Sequence, residues 1–316
     1  MFDNMYFYFL DWIVIAPFMS YFSFIILTFN EEVHLPRLLE SIKDLNAPIF
    51  ILDSGSTDAT LSIAEAYQAK VIYNKFENHP KQWDFALNNF DIQTEWIIGL
   101  DADQIVTPEL QKKLALFNEN TVSKEVNGIY FNRKNYFRGR WIKHGGYFPK
   151  YLLKMFRKGY GHSDLNENMD HRFVIEGKTE IWKKGFLLEE NTKENDISFW
   201  LAKHNKYSDL VAQEEVERIQ KLRSQHNTRK LSGNPDERIA FLKNIWWKLP
   251  LYWRPCIYFI YRFFFQLGFL DGKEGRIFHF LQGFWFRIIV DIKIEELLKQ
   301  NSVTSNEKAT ILAENN

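Results

Sequence analysis

Four short apolar runs alternate with segments of helical spacing in the first hundred residues. Each run is almost wholly apolar, which is typical of a strand that is buried on both faces. Between them, apolar residues recur at intervals of three or four, as Leu35, Leu38 and Ile42 do, which predicts amphipathic helices. This alternation predicts an α/β fold with a mostly parallel central sheet flanked by helices. The predicted strands are Phe24–Leu27, Ile49–Leu52, Val71–Tyr73 and Trp96–Leu100.

The alternation ends near residue 105. Two further apolar runs, Gly128–Phe131 and Tyr151–Phe156, are predicted as antiparallel strands at the edge of the sheet. A basic, glycine-containing loop, Arg138–Gly146, lies between them. A long helix is predicted from Ser198 to about Gln225, and the polar segment 227–236 is the best candidate for a linker.

The composition changes after the predicted linker. Residues 238–293 hold 9 Lys or Arg against 3 Asp or Glu, and 17 of the 53 aromatic residues. One interpretation is a pair of buried helices packed on the preceding domain. The other is an in-plane membrane anchor, because aromatic and basic residues favour the lipid interface; the apolar segment 1–22 could share that role. The arginines expected along such helices are Arg254, Arg262, Arg276 and Arg287.

The whole chain carries no net charge, with 40 basic and 40 acidic residues among 316. This balance argues against a dedicated nucleic-acid-binding protein. The only cysteine is Cys256, so an intrachain disulfide is excluded and a reducing compartment is expected. No secretion signal is recognisable, and the absence of 18 consecutive apolar residues argues against a membrane-spanning helix.

Polar clusters follow three of the predicted strands. They contain Thr28, Asn30 and Glu31, then Asp53 and Ser54, and then Asp101 and Asp103. Any one of them would be explained by turn formation or helix capping. In an open parallel sheet, however, ligands bind beyond the carboxyl ends of the strands. Three clusters at such ends therefore indicate a binding site.

The pair Asp101 and Asp103 is the sharpest candidate for chemistry. Carboxylate oxygens suit a hard divalent cation, which commonly keeps substrate phosphates in its coordination shell. The chain lacks the glycine fingerprints of dinucleotide-binding and P-loop proteins. It also lacks Cys and His at zinc spacing.

Together these segments resemble the family 2 glycosyltransferases, which have the GT-A fold. The resemblance rests on Phe24–Glu32, Leu52–Thr60 and Gly99–Asp103. Gln82–Leu87 resembles the segment on which that family rests part of the nucleotide. Two further segments, Gly139–Gly146 and Phe199–Tyr207, resemble a bacterial subgroup that builds lipopolysaccharide cores and exopolysaccharides. The whole resemblance covers roughly residues 23–215.

The resemblance implies a role for each matching residue. Thr28, Asn30 and Glu31 would line the nucleotide pocket, with Gln82 beneath it. Asp53 would bond the base or ribose, with Ser54 beside it. Asp101 would contact the ribose or a metal-bound water, and Asp103 would bind Mg²⁺ or Mn²⁺ on the diphosphate.

The general base of an inverting transfer is the least defined of these residues. The family places a carboxylate after the acceptor loop, where relatives often have Met-Asp-Glu-His and this chain has Met169-Asp170-His171-Arg172. Asp170 is preferred, with Glu167 in reserve, although Glu167 could equally be a solvated loop residue. His171 could be a third metal ligand.

The basic loop offers a clamp for anionic groups of the acceptor or diphosphate. Arginine suits bidentate phosphate recognition, although an exposed basic loop is the simpler interpretation. The residues concerned are Arg138, Arg140, Lys143 and His144.

The resemblance therefore implies an enzyme that transfers a sugar from a nucleotide-sugar to a lipid-linked glycan. We expect a GT-A catalytic domain (23–226), a membrane-associating helical region (238–293) and a tail (294–316), located peripherally at the cytoplasmic face of the inner membrane. One alternative keeps the enzyme but makes polyprenyl phosphate the acceptor. Another is a non-catalytic nucleotide- or glycan-binding protein on the same scaffold.

Overall fold

The computed structural model describes residues 20–165, 171–222, 246 and 248–314. Three sequence predictions therefore lie wholly or almost wholly outside the described residues. They are the N-terminal segment 1–22, the linker 227–236 and the two candidate bases, Glu167 and Asp170.

A nine-stranded mixed sheet forms the centre of the fold, in the order β3-β2-β1-β4-β8-β6-β11-β5, with β7 paired to β6. The strands β3, β2, β1 and β4 are parallel, whereas β8 joins β4 and β6 in antiparallel fashion. A separate two-stranded sheet pairs β9 with β10. The strands are β1 (Phe22–Thr28), β2 (Ile49–Asp53), β3 (Lys70–Tyr73), β4 (Trp96–Asp101), β5 (Gln104–Val106), β6 (Val126–Phe137), β7 (Arg140–Ile142), β8 (Lys150–Arg157), β9 (Gly161–Ser163), β10 (Phe173–Ile175) and β11 (Lys178–Glu189).

Helices cover the sheet and then continue as a C-terminal helical region. Pro36, Pro80 and Pro108 stand in the first turns of three of them, where the missing amide hydrogen of proline costs nothing. The helices are α1 (Leu35–Ile42), α2 (Thr60–Ala66), α3 (His79–Asn89), α4 (Pro108–Ala115), α5 (Ile197–Leu222), α6 (Trp253–Ile260), α7 (Gly272–Phe280) and α8 (Phe286–Glu314). Wider π-helical turns extend α6 through Phe265 and α7 through Trp285.

Alternation along β1 explains why its sequence is continuously apolar. Phe24 and Ile26 pack into the core on one side of the sheet, and Ile25 and Leu27 pack into the core on the other. Both faces of the strand are thus buried, so a polar residue would be unfavourable on either. The α/β fold and the four parallel strands predicted from such runs are confirmed.

The prediction that residues 128–131 and 151–156 form edge strands is wrong. They belong to β6 and β8, which lie in the interior of the sheet because β11 pairs in parallel with β6 on its far side. β11 escapes recognition because its first half is mostly charged or polar and shows no apolar run. Within it, Trp182 is buried while Lys183 and Lys184 are exposed.

The C-terminal helical region packs on the α/β domain. Ala212 and Val216 of α5 share a core with Phe286, Val290 and Ile294 of α8. A second core joins Phe137, Ile142 and Trp200 to α7 and the turn that follows it. One side of this region is therefore buried against the α/β domain, as the buried-helix interpretation predicts.

Arg254 departs from the expectation that the arginines of this region face a lipid interface. Its side chain is only 3% exposed. Arg254 Nε donates to Asp291 at 2.7 Å, and a terminal nitrogen lies 2.8 Å from a Glu215 oxygen. This arginine therefore ties α6 to α5 and α8. Among the described residues, no helix combines the length and apolar character that crossing a bilayer would need.

The buried ion pair makes a stability prediction. Replacing Arg254 with Met leaves Asp291, whose side chain is fully buried, without a counter-charge. We expect the free energy of unfolding to fall by about 3–5 kcal/mol, measured by urea denaturation. Arg276→Met on the exposed face of α7 is the control and should unfold at the same urea concentration as the unsubstituted chain. Equal stability of both variants would show that the contact between Arg254 and Asp291 does not stabilise the fold.

Candidate active site

The carboxylate of Asp53 organises the turn after β2. Its Oδ1 accepts hydrogen bonds from the backbone N–H groups of Gly55 and Ser56, both at 2.8 Å. Its Oδ2 accepts from the hydroxyls of Thr28 at 2.8 Å and Ser56 at 2.5 Å. The turn after β2 is thereby fixed to the end of β1, as expected of two neighbouring parallel strands.

The turn after β1 is held by a second set of polar contacts. Asn30 adopts a left-handed backbone conformation with φ of 54°, and its Oδ1 accepts from the N–H of Thr57 at 2.8 Å. Thr192 N–H donates to His34 Nε2 at 2.9 Å, so Nδ1 of that ring carries the proton. His34 Nδ1 then donates to Glu31 Oε2 at 2.6 Å, which fixes the Glu31 carboxylate.

Gln82 supports this edge of the sheet from α3. Its buried amide nitrogen donates to Ser54 Oγ and to the carbonyl oxygen of Asn74, both at 2.9 Å. Its amide oxygen accepts from Asn74 at 2.8 Å. Gln82 therefore fixes the position of Ser54.

Asp101 ends β4 next to a buried lysine. Lys154 Nζ donates to its Oδ2 at 2.8 Å, and Gln104 Nε2 donates to the same oxygen at 2.9 Å. Burial opposes ionisation of Asp101, but the charge and hydrogen bond of Lys154 outweigh it and lower the pKa of the carboxyl. Asp101 therefore stays ionised, with one oxygen committed to these donors.

Asp103 stands in the opposite electrostatic situation. Burial, the charge of Glu189 and the charge of Asp101 raise the pKa of its carboxyl to about 8. Within the described ranges, no group donates a hydrogen bond to its carboxylate. Gln104 Nε2 also donates to Glu189 Oε2 at 2.9 Å, so one amide links Asp101 to Glu189. Three carboxylates thus converge where β4 and β11 end.

Basic residues partly balance this negative charge. Arg133 Nη1 donates to Glu189 at 2.5 Å, and Lys203 of α5 pairs with Glu194 at 2.6 Å. Burial would lower the pKa of Lys203, yet Tyr207, Glu194 and Asp103 raise it overall. Lys203 therefore remains a cation beside the carboxylates.

Several of these residues are missing from the sequence-based site. Glu189 and Arg133 lie on β11 and β6, and they reach the site only because β6 pairs with β8 and β11 pairs with β6. Gln104 could have been found, since it directly follows Asp103. Lys203 lies on α5, three residues after the buried Trp200. This helical spacing indicates only that the helix packs on the core, so it does not identify Lys203 as a site residue.

His171, predicted as a possible metal ligand, is half-buried and lies among aromatic rings. Its ring stacks on Trp83 with 5.1 Å between centroids and meets Phe173 edge-on at 4.3 Å. Burial, with Lys154 and His79 nearby, holds the pKa of His171 well below its usual value. The imidazole is therefore neutral.

The predicted clamp residues occupy different surroundings. Arg140 and Lys143 are exposed and Arg138 is half-buried. His144 is tied down, because its Nδ1 lies 2.6 Å from Asp271 Oδ1 and its backbone N–H donates to Asp271 Oδ2 at 3.0 Å. Asp271 is buried and also pairs with His279 at 3.0 Å. The basic loop is thus fixed to the C-terminal helical region.

The donor set at the strand ends suits a hard divalent cation. Asp103 offers oxygens without a described hydrogen-bond donor, and its neighbours Asp101 and Glu189 repel it. A cation would relieve that repulsion. No group of three or more His, Cys, Asp or Glu among the described residues is arranged to hold a metal by itself, so substrate oxygens would have to complete the coordination.

Comparison with known proteins agrees with this geometry. Residues 23–172 match the family described as Glycosyl transferase family 2. The lipopolysaccharide core biosynthesis glycosyltransferase LpsC of Rhizobium meliloti is 28% identical over 277 residues, which cover 82% of this chain and 89% of that protein. An uncharacterized glycosyltransferase of Rickettsia felis is 25% identical over 301 residues, covering 92% and 96%.

Among solved structures, residues 1–349 of S. aureus TarS in complex with UDP align with 90% of this chain and 92% of that chain. The TM-score is 0.43 and the identity 16%, so this likeness carries no inference about substrate. The family match runs from β1 to Arg172 and includes Asp53, Asp101 and Asp103. Residues 23–172, just under half of the chain, therefore form a family 2 glycosyltransferase domain.

Proposed function

We propose that this enzyme transfers a sugar from a nucleotide-sugar to a lipid-linked glycan during assembly of lipopolysaccharide or another cell-surface polysaccharide. The transfer would invert the anomeric carbon, depend on Mg²⁺ or Mn²⁺ and take place at the cytoplasmic face of the inner membrane. The observation that carries the proposal is the convergence of Asp53, Asp101 and Asp103 at one edge of the sheet. The similarity to LpsC over most of both chains supports the acceptor class.

The strand ends provide separate places for the parts of a nucleotide-sugar. Thr28, Asn30 and Glu31 would contact the nucleoside, with Asp53 at the base or ribose and Ser54 beside it. Their fixed geometry favours binding, because little conformational freedom remains to be lost.

Asp103 would hold the cation, with Asp101 and Glu189 close by. The cation, when bound, neutralises the charge that develops on the departing nucleoside diphosphate. Lys203 and Arg133 add fixed positive charge at the same edge and need not move during the reaction. An acceptor diphosphate could also contact the exposed cations of the basic loop, Arg140 and Lys143.

The proposed reaction is a single displacement. The acceptor hydroxyl oxygen forms a bond to the anomeric carbon while the bond from that carbon to the diphosphate oxygen breaks. A carboxylate accepts the hydroxyl proton as general base. We assign this role to Asp170, with Glu167 as the reserve.

Asp103 provides the sharpest test of this function. We expect Asp103→Asn to reduce release of nucleoside diphosphate by at least about 100-fold, because a catalytic cation contributes several kcal/mol to the barrier. The assay uses purified protein, a panel of UDP-, GDP- and other nucleotide-sugars, Mn²⁺ or Mg²⁺, and a membrane extract as acceptor. Because the carboxylate of Asp103 accepts no described hydrogen bond, its replacement should not lower the melting temperature.

The matched control is Asp91→Asn, at an exposed position away from the strand ends, which should retain full activity. An Asp103→Asn enzyme as active as the unsubstituted chain would contradict the assignment. If the unsubstituted chain binds a nucleotide-sugar but releases no nucleoside diphosphate with any extract, the non-catalytic alternative is correct.

The exposed surface of the C-terminal helical region suggests where the enzyme meets its acceptor. Apolar side chains follow one stripe of α6 and its extension, and ring contacts join several of them to the turn after it and to α7. We call this surface the aromatic face. Its exposed members are Trp253, Ile257, Ile260, Tyr261, Phe264, Phe265, Leu267, Phe269, Leu270 and Phe280.

A lipid surface is the occupant that this composition fits. Trp and Tyr favour the membrane interface, where a ring can be buried while its polar edge stays hydrated. Lys273 and Arg276 are exposed on α7, in the same helical region, and would attract anionic lipid headgroups. We therefore propose that the enzyme binds the membrane surface through the aromatic face.

Replacing Phe264 and Phe265 together with Ser tests this role. Phe265 is 77% exposed and Phe264 is 55% exposed, so their loss should not disturb the core. We expect the partition onto phosphatidylcholine–phosphatidylglycerol vesicles to fall at least about tenfold, because each ring would be buried in lipid. Co-sedimentation measures the bound fraction.

Leu116→Ser is the matched control, since Leu116 is 76% exposed and follows α4. It should bind vesicles as well as the unsubstituted chain. Undiminished binding of the double variant would show that the aromatic face does not contact lipid. Substitution is preferable to truncation, because removing α8 would expose the apolar side of α5.

A further inference from the structure

Two arginines of the C-terminal helical region converge on one tyrosine. Arg262 donates through Nη1 to the hydroxyl of Tyr258, and its guanidinium carbon lies 5.0 Å from the centre of that ring. The guanidinium carbon of Arg287, from α8, lies 5.6 Å from the same ring. We call Arg262 and Arg287 the arginine pair.

The surroundings of the pair contain little negative charge. Arg262 donates from Nε to the carbonyl oxygen of Gly145 and lies 4.1 Å above the ring of Tyr147. Arg287 lies against the rings of Trp246 and Phe286. Its Nε is buried and has no hydrogen-bond partner in the described part of the chain. These partners are aromatic faces and neutral oxygens, which compensate a cation only in part.

Arg254, one turn before Tyr258 on α6, shows how this protein neutralises an arginine for structural purposes. It is held by Asp291 and Glu215 at 2.5 and 2.8 Å. No aspartate or glutamate among the described residues lies within ion-pair distance of Arg262 or Arg287. Two partly buried cations without a carboxylate are unfavourable, and the arrangement is typical of a site that receives an anion.

The phenol of Tyr258 responds to this positive potential. Burial would raise its pKa, but the charges of Arg262 and Arg287 and their hydrogen bonds lower it overall. A group that carries negative charge is thus stabilised at this position. All three side chains also keep part of their surface exposed, so that a ligand can reach them.

The arginine pair lies between the basic loop and the aromatic face. On one side, Gly145 lies at the end of the basic loop and Tyr147 directly follows that loop. Burial raises the pKa of the Tyr147 phenol, whereas the charges of Arg262 and Arg133 lower it. Tyr147 therefore interacts electrostatically with Arg262 of the pair and with Arg133 of the site at the strand ends. On the other side, Tyr261 and Phe265 of the aromatic face follow directly along the same helix.

We propose that Arg262 and Arg287 bind the phosphate or diphosphate group of the lipid-borne acceptor, with the Tyr258 hydroxyl beside them. This inference rests on the proposed function, in which the acceptor is lipid-linked. Guanidinium groups match phosphate oxygens through paired, charge-assisted hydrogen bonds. The lipid chain would lie along the aromatic face, and the glycan would extend past Tyr147 toward Asp103.

Binding without any nucleotide-sugar tests the inference separately from sugar transfer. The full chain is titrated by calorimetry with farnesyl monophosphate, with farnesol as its uncharged counterpart, and with inorganic phosphate. We expect farnesyl monophosphate to bind at least about tenfold more tightly than either of the others, since only it engages both the arginines and the apolar surface.

The variants Arg262→Gln and Arg287→Gln should each weaken farnesyl monophosphate binding about 10- to 100-fold, and leave farnesol binding unchanged. Arg262→Lys and Arg287→Lys should weaken binding less, because lysine keeps the positive charge although it lacks the paired N–H donors of the guanidinium group. Lys112→Gln, at an exposed position on α4, is the control and should bind like the unsubstituted chain. A cooperative thermal unfolding transition establishes that each variant is folded. If a Gln variant is not folded, the Lys variant at the same position is used for the comparison.

Three results would overturn the inference. Equal affinity for farnesyl monophosphate and farnesol would mean that the arginines bind no phosphate. Equal losses for both ligands in the Gln variants would assign the arginines to packing. Inorganic phosphate binding as tightly as farnesyl monophosphate would assign the site to free phosphate instead of a lipid. If the binding pattern holds but no sugar is transferred in the separate assay, the proposed function fails while the phosphate site stands.

Discussion

Repulsion between carboxylates at the ends of β4 and β11 is the constraint around which this protein is built. Asp101, Asp103 and Glu189 meet there, and Lys154 and Arg133 neutralise two of them through direct contacts. Asp103 is left with a pKa of about 8. A folded chain retains such a group where a ligand will supply the missing positive charge. The sheet topology creates this situation, because β11 delivers Glu189 beside the end of β4.

The C-terminal helical region completes the enzyme on the side away from β3. Asp271 holds the basic loop through the backbone and ring of His144, while the arginine pair contacts Gly145 and Tyr147. The same helices bury one side against α5 and expose aromatic rings on the other. A single packing arrangement thus connects the aromatic face, the proposed phosphate site and the basic loop.

The sequence predicted the parts of the site that depend on local order along the chain. Strands buried on both faces are recognisable from continuous apolar runs, and the polar residues at their ends follow directly, as with Asp53 and Asp103. Glu189 and Arg133 could not be found in this way, because their positions depend on pairing between distant strands. The burial of Arg254 was equally hidden, since its partners Glu215 and Asp291 lie on two other helices.

The most direct test of the account is a crystal structure grown with Mn²⁺ and the nucleoside diphosphate that stabilises the protein best. Anomalous scattering would locate the manganese. The account predicts manganese on a carboxylate oxygen of Asp103, bridging to the diphosphate, with the nucleoside against Asp53 and the turn after β1. Nucleotide bound elsewhere, or manganese at a site that excludes Asp103, would contradict it.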